Sequence, residues 1–366
     1  MKRILLLLFV VASFPFALPS KAQEDLAWTR QRSGVLAKLS AVFFLDARRG
    51  WTAGSNGTLL TTDDGGGNWR RLPLPERESR EPINDLWFFN AAHGSVLGEY
   101  GPFNRLPNPS GLIERVFLMT SHDGGLNWRP TELSAPPPIR SGLSGRTTAR
   151  PPAKTDAKFE VKPDEPKAQS DPVLLRMAFA NQNTGWACGE TGTIQATTNG
   201  GASWQLQPVL TKKLLYDVAT IDEKNAVIAG AGGTVLRTMD GGRNWREVST
   251  GVTQVLRAVH FVDAKNGWAA GSGGVILATT NGGATWLQQT SGATQNLNDL
   301  QFVNVKEGWA AGDRGLLLHT TDGGATWETV ELGTNANLTR LFFTAPDCGW
   351  VVGASGTIFK YGLGGG

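Results

Sequence analysis

The phrase Asp/Asn-Gly-Gly-x-x-Trp occurs six times, as Asp64–Trp69, Asp123–Trp128, Asn199–Trp204, Asp240–Trp245, Asn281–Trp286 and Asp322–Trp327. The last four tryptophans lie 41 residues apart each time. A fixed period near 40 with strand-like contents implies an array of like units, because one such unit cannot bury its apolar face alone. One unit is clearest over 256–290. Leu256–Phe261 suits an inner strand, Asn266-Gly267 a turn, Trp268–Gly271 a second strand and Val275–Thr280 a third. Asn281-Gly282-Gly283 then makes a tight hairpin into Trp286–Thr290, since Asn-Gly and Asp-Gly tolerate the positive φ of such turns. Four short strands per unit is the pattern of a β-propeller blade.

The second-strand position is read at Trp51, Ser95, Trp186, Ala226, Trp268, Trp309 and Trp350, which predicts an all-β, seven-bladed propeller over 23–361. The seventh unit has no Gly-Gly-x-x-Trp and ends after its third strand, at Gly356–Tyr361. Trp28–Gly34 resembles a fourth strand such as Trp286–Gly292, so the amino-terminal strand is expected to complete blade 7, closing the ring and removing open edges. The tail 362–366 is expected to be flexible. Two insertions interrupt the period. Residues 98–115 lengthen the connection between strands two and three of blade 2. Residues 134–172 join blade 2 to blade 3; rich in proline and charge and poor in large apolar residues, they are expected to be disordered. Both connections emerge on one face of a propeller, so that face is expected to carry the function.

Lys2-Arg3, the apolar run from Ile4 to Ala12 and the small residues Ser20 and Ala22 read as a secretory signal peptide over 1–22, with cleavage before Gln23. The expected protein is exported, periplasmic or secreted, and without stable membrane insertion. Two cysteines, Cys188 and Cys348, lie in distant repeats and read as unpaired thiols. A formal charge of +3 is too mild to argue for nucleic acid. The four histidines, His93, His122, His260 and His319, lack metal-ligand spacing, so neither a metal nor a cofactor is expected.

The repeated aspartates and asparagines (Asp64, Asp123, Asn199, Asp240, Asn281, Asp322) and tryptophans (Trp69, Trp128, Trp204, Trp245, Trp286, Trp327) read as structural: side-chain caps within hairpins, and large buried surfaces between sheets. The inner strands read differently. Their third residues are Ala41, Asp85, Arg176, Asp217, Ala258, Asp299 and Arg340. Two residues on lie Phe43, Trp87, Ala178, Ala219, His260, Gln301 and Phe342, facing the same way by the strand period. Asp85, Arg176, Asp217, Asp299, Arg340 and His260 are therefore expected along the channel, either as a self-paired lining or as a polar mouth that grips a ligand. Arg105, Arg140, Arg176, Arg314 and Arg340 are the candidates for acidic partner groups, because guanidinium suits carboxylate; Trp87 and Tyr100 are the aromatic candidates.

The run Thr320–Trp327 resembles the Asp box, or bacterial neuraminidase repeat. With Gly308-Trp309-Ala310-Ala311-Gly312 and Gly315–Leu318 upstream, it is similar to the photosystem II stability/assembly factor family over about 28–361, outside the two insertions. That resemblance implies an exported seven-bladed assembly chaperone or scaffold. It would be non-enzymatic and monomeric, without catalytic residues, and would bind a protein or peptide such as a membrane-protein segment, in the thylakoid lumen if the host is photosynthetic. The 134–172 insertion departs from the family pattern. The alternative is a sialidase-like or other glycoside hydrolase. Sialidases share the repeat and use a Tyr nucleophile, for which Tyr216 beside Asp217 is the candidate, with Arg176, Arg257 and Arg340 holding substrate. Asp85, Asp217 or Asp299 would serve a two-carboxylate enzyme. A purely structural surface module is the third reading.

Overall fold

The computed structural model describes residues 26–107, 112–133 and 170–363. Seven antiparallel sheets follow one another along the chain. Their inner strands are Leu39–Phe44, Ile83–Phe88, Leu174–Phe179, Leu215–Thr220, Leu256–Phe261, Leu297–Phe302 and Leu338–Ala345, for blades 1 to 7. Each inner strand packs against the next, and that of blade 7 against that of blade 1, so the ring is closed. The fourth strand of blade 7 is Leu26–Arg32, which pairs with Thr357–Leu363 in the register Trp28↔Tyr361. That pairing draws Gly362 and Leu363, expected in a flexible tail, into the sheet opposite Ala27 and Leu26. The signal peptide reading and nearly all of 134–172 fall outside the described residues.

Aromatic packing explains the repeat. Each second strand opens on a Gly-Trp pair or its equivalent. Trp51, Trp268 and Trp350 stack face to face on the inner-strand phenylalanine of the next blade, Phe88, Phe302 and Phe44, with centroids 3.7, 3.6 and 3.4 Å apart. The same phenylalanines receive the edge of the Asp-box tryptophan of their own blade, as in Phe88–Trp128 and Phe302–Trp327. The preceding glycine is then obligatory: a Cβ on Gly50, Gly94 or Gly308 would lie 2.3, 2.4 and 2.5 Å from Phe44, Phe88 and Phe302. Blade 4 has Thr220 instead of phenylalanine, and opposite it stands Ala226 instead of glycine. That pairing also corrects the register read from sequence: Val227, not Ala226, occupies the tryptophan position.

The Asp box is a hairpin that closes several hydrogen bonds within itself and ties back to the turn between strands one and two, as where the Gly323 amide donates to the Lys306 carbonyl at 2.7 Å. In the box of blade 6, Thr320 Oγ1 accepts from the Gly324 amide at 2.9 Å and donates to Asp322 Oδ1 at 2.8 Å. Asp322 Oδ1 also accepts from the Thr326 amide at 2.9 Å, and Oδ2 from its hydroxyl at 2.6 Å. The two glycines adopt φ of 79° and 88°, which any other residue would resist. These hydrogen bonds to the charged form hold the Asp64, Asp123 and Asp322 carboxyls down at about 2.

The 98–115 insertion folds onto the connection between blades 1 and 2. The Arg77 guanidinium stacks 3.8 Å from the Tyr100 ring centroid, donates to Glu114 at 2.9 Å and to the Asn104 carbonyl at 3.0 Å. Ile113 forms a parallel bridge with Ser170, and the Asp171 amide donates to the Ile113 carbonyl at 2.9 Å. The described ends of the two insertions thus meet beside blades 2 and 3. Glu132–Leu133 adds a fifth, parallel strand outside the Ser203–Leu206 edge of blade 3. No described helix is long and apolar enough to cross a membrane.

Candidate functional site

All seven inner strands carry a bulge between their first and third residues. The extra residue leaves the ladder and re-aims its side chain. Those second residues are Ser40, Asn84, Leu175, Tyr216, Arg257, Asn298 and Thr339, all half-buried. Together with Lys38, Arg176, Asp313 and Asn337 they line an axial basin of about 380 Å³. Inner strands begin, and second strands end, on the face where the two insertions emerge, so the basin opens there.

Three cations, Lys38, Arg176 and Arg257, face a single carboxylate, Asp313, in this lining. Asp313 is already bound by the side-chain amides of Asn296 and Asn298, at 2.9 and 2.8 Å. Arg176 donates to the carbonyls of Asn84 at 2.8 Å and Ser40 at 3.4 Å, bridging three blades, and lies 4.0 Å from Asp85. The Arg257 guanidinium lies 5.5 Å from the Tyr216 ring centroid. Neither Lys38 nor Arg257 has an ion-pair partner among the described residues. The basin is therefore cationic and rich in amides and hydroxyls, which suits an anionic or carboxylate-bearing guest.

The third residues, expected along the channel wall, are mostly turned into the junctions between blades. Asp85 Oδ2 accepts from the Met177 amide of blade 3 at 2.9 Å, Asp217 Oδ2 from Val259 of blade 5 at 2.9 Å, and Asp299 Oδ2 from Leu341 of blade 7 at 2.6 Å. Arg340 spans the axis beneath the basin, 3.4 Å from Asp299 and 3.6 Å from Asp217. Its guanidinium is engaged by carboxylates of the chain itself. Burial, opposed by Arg340 and Arg176, raises the Asp217 carboxyl to about 6. One level further along, Phe342, Phe43 and Trp87 of three consecutive blades pack ring to ring at 4.9 and 5.1 Å. Across from them, His260 Nδ1 accepts from the Phe302 amide at 3.4 Å, and burial lowers the imidazole to about 4, so it is neutral at ordinary pH.

Of the arginines expected to meet a partner, Arg176 lines the basin, and Arg314 is exposed on the loop that follows the second strand of blade 6. Arg105 is half-buried and donates through Nε to the Tyr100 carbonyl at 3.1 Å. Arg140 lies outside the described residues. Tyr100 is buried with its hydroxyl 2.6 Å from Glu78, so its ring braces the insertion and is withheld from solvent. Trp87 sits in the aromatic arc, away from the basin mouth. The strand period, applied without the bulge, missed Lys38, Ser40, Asn84, Asn298, Asp313, Asn337 and Thr339. The available signal was that the second inner-strand residue is polar in six of seven blades.

The family model for photosynthesis system II assembly factor YCF48 matches the chain twice, over residues 160–252 and 244–336. Over those residues the chain is similar to photosystem II assembly factors, and it is a propeller of the bacterial neuraminidase repeat type. Solved structures agree on the fold. YCF48 from Cyanidioschyzon merolae shares 22% identity with a TM-score of 0.67, over 92% of this chain and 99% of that one. A structure described as YCF48 bound to D1 peptide shares 20% with a TM-score of 0.66, over 92% and 97%. A glycoside hydrolase family 74 xyloglucanase from Xanthomonas campestris shares 11% with a TM-score of 0.62, over 91% of this chain but 53% of that enzyme. No curated protein matches the sequence.

Proposed function

We propose that this photosystem II assembly factor-like propeller is a non-enzymatic, exported and monomeric scaffold that binds an acidic segment of a partner polypeptide in its axial basin. The observation that carries the reading is the imbalance of the lining: Lys38, Arg176 and Arg257 against an Asp313 already bound by two asparagines. A carboxylate entering the basin would meet two cations with no ion-pair partner among the described residues. The likeness to a YCF48 structure bound to a D1 peptide supports a peptide as the guest. Export to a periplasm, a medium or, in a photosynthetic host, a thylakoid lumen rests on the leader at 1–22.

The test is titration calorimetry with an acidic peptide and its amide-substituted counterpart. Lys38→Ala combined with Arg257→Ala should weaken the acidic peptide about tenfold or more, as loss of charge-assisted bonds of about 1.5–3 kcal/mol implies. Equal affinity of both proteins would defeat the reading.

The hydrolase alternative has less support. Asp217, neighbour of Tyr216, points to the Val259 amide and Arg340, away from the mouth, and Tyr216 faces the Arg257 guanidinium. Turnover of a fluorogenic sialoside abolished by Tyr216→Phe would restore it.

A further inference from the structure

The basin-bearing face is divided. On one side, three connecting segments, residues 33–38, 101–107 and 207–214, project large apolar side chains. Phe103 and Leu210 are 100% and 103% exposed, Leu36 is 88% exposed and Leu106 is 53% exposed. The same three segments hold Lys38 at the basin rim, Arg105, Lys212 and Lys213 and no Asp or Glu, with Lys213 paired to Glu247 at 3.0 Å and Arg105 donating through Nε to the Tyr100 carbonyl. On the other side, segments 249–255, 290–296 and 330–337 occupy the places of 33–38 and 207–214 in the repeat, and segments 231–233, 272–274 and 313–315 that of 101–107. They hold one cation, Arg314, two carboxylates, Asp313 and Glu331, and none of the exposed large apolar side chains.

The loop carrying Phe103 is braced beneath by Arg77 against Tyr100 and Glu114, by Glu81 accepting from the Gly101 amide at 2.7 Å, and by Arg115 against Glu190 at 2.8 Å. These contacts also consume the carboxylates at the loop base, Glu78, Glu81, Glu114 and Glu190, leaving Glu76 of the neighbouring connection exposed. The exposed apolar residues on the opposite face, such as Leu126, Met239 and Val305, stand singly in the turns of blades 2, 4 and 6, among Asp-rich hairpins.

We propose that this half of the face, Leu36, Phe103, Leu106 and Leu210 with their flanking cations, is a peripheral docking surface for an anionic lipid bilayer. Exposed apolar side chains on separate loops, each with a cation within three residues in sequence, match an interface in which the tips enter the acyl boundary and the ammonium and guanidinium groups meet headgroup phosphates. A protein hot spot instead needs its apolar anchors contiguous and set in a packed pocket, and here they come from blades 7 to 1, 2, and 3 to 4. Binding of this kind is reversible and places the basin mouth toward the membrane surface.

The experiment is co-sedimentation of the mature protein with phosphatidylglycerol–phosphatidylcholine vesicles and with pure phosphatidylcholine vesicles. The native protein should pellet with the anionic vesicles and less with the neutral ones, and added salt should weaken it. Leu36→Ser combined with Phe103→Ser and Leu210→Ser should reduce anionic-vesicle binding about tenfold or more, as loss of three buried apolar side chains implies. An unchanged thermal midpoint and unchanged acidic-peptide affinity would show that fold and basin are intact. The proposal is overturned if the native protein ignores both vesicle types, or if the triple variant pellets as well as the native protein. It is also overturned if the native protein is a dimer by light scattering that the triple variant dissolves, since a second copy would then be the occupant.

Discussion

Two layers of the channel lie one residue apart in sequence and have opposite fates. The third inner-strand residues carry Asp85, Arg176, Asp217, Asp299 and Arg340, and three of these carboxylates cap backbone amides of the following blade. The second residues, displaced by the bulge, look into the basin, where Arg257 has no ion-pair partner among the described residues. Charge at the third position mainly holds the ring together, whereas charge at the second is available to a guest. Arg176 touches both layers, lining the basin while donating to carbonyls of blades 1 and 2.

The largest effect is expected where the buried layer is broken. Arg340→Ala would leave Asp217 and Asp299 without their shared cation, a loss of about 3–5 kcal/mol for a broken buried pair, read by urea denaturation. A variant as stable as the native protein would show that this layer is not structural. Next comes Asp217 itself. Its folded carboxyl titrates at about 6, above the usual value near 4 in the unfolded chain. Between those values the native state holds a proton that the unfolded state lacks, so this residue's contribution to stability falls as pH rises from about 4 to about 6 and is level above. The stability difference between the native protein and Asp217→Asn should therefore shift by about 2–3 kcal/mol across that window; a flat difference would contradict the burial argument.

Arg257→Ala should move stability by no more than about 0.5 kcal/mol, as surface changes usually do, while weakening an acidic peptide. Equal loss of stability from Arg257→Ala and Arg340→Ala would erase the contrast between the layers. The smallest effect concerns the hairpins. Asp64, Asp123 and Asp322 titrate near 2, so their contribution is present above about 4 and lost as pH falls toward 2. The boxes with Asn199 and Asn281 make the same amide contacts at 3.0 and 2.9 Å without a titrating group. Asp322→Asn should accordingly leave the neutral-pH midpoint near the native value and soften the acid transition, seen in thermal melts between pH 5 and 2.

Much of the fold is legible in one repeat because its determinants are local. Thr320, Asp322, Gly324 and Thr326 close hydrogen bonds with one another within seven residues. The missing strand of blade 7 is readable because Trp28 stands where each Asp-box tryptophan stands, and the Trp28↔Tyr361 pair realises it. Even the Gly308–Phe302 and Ala226–Thr220 contrast is written in the sequence, since a ring fills the space a Cβ would take.

The site was less legible. Alternation along Leu215–Thr220 puts Asp217 on the wall, but the bulge moves Tyr216 there and turns Asp217 toward blade 5. Nothing in the chain's order says that Arg340 meets Asp217 of blade 4 as well as Asp299 of blade 6, or that Lys38, Asn84 and Asp313 share one mouth. The sequence by itself determined the period, the hairpins and the aromatic stacking, because these depend on residues near in the chain or recurring at a fixed interval. The tertiary structure alone decided which charges neutralise one another and which stay open, because closing the ring brings seven distant strands within reach of a single axis.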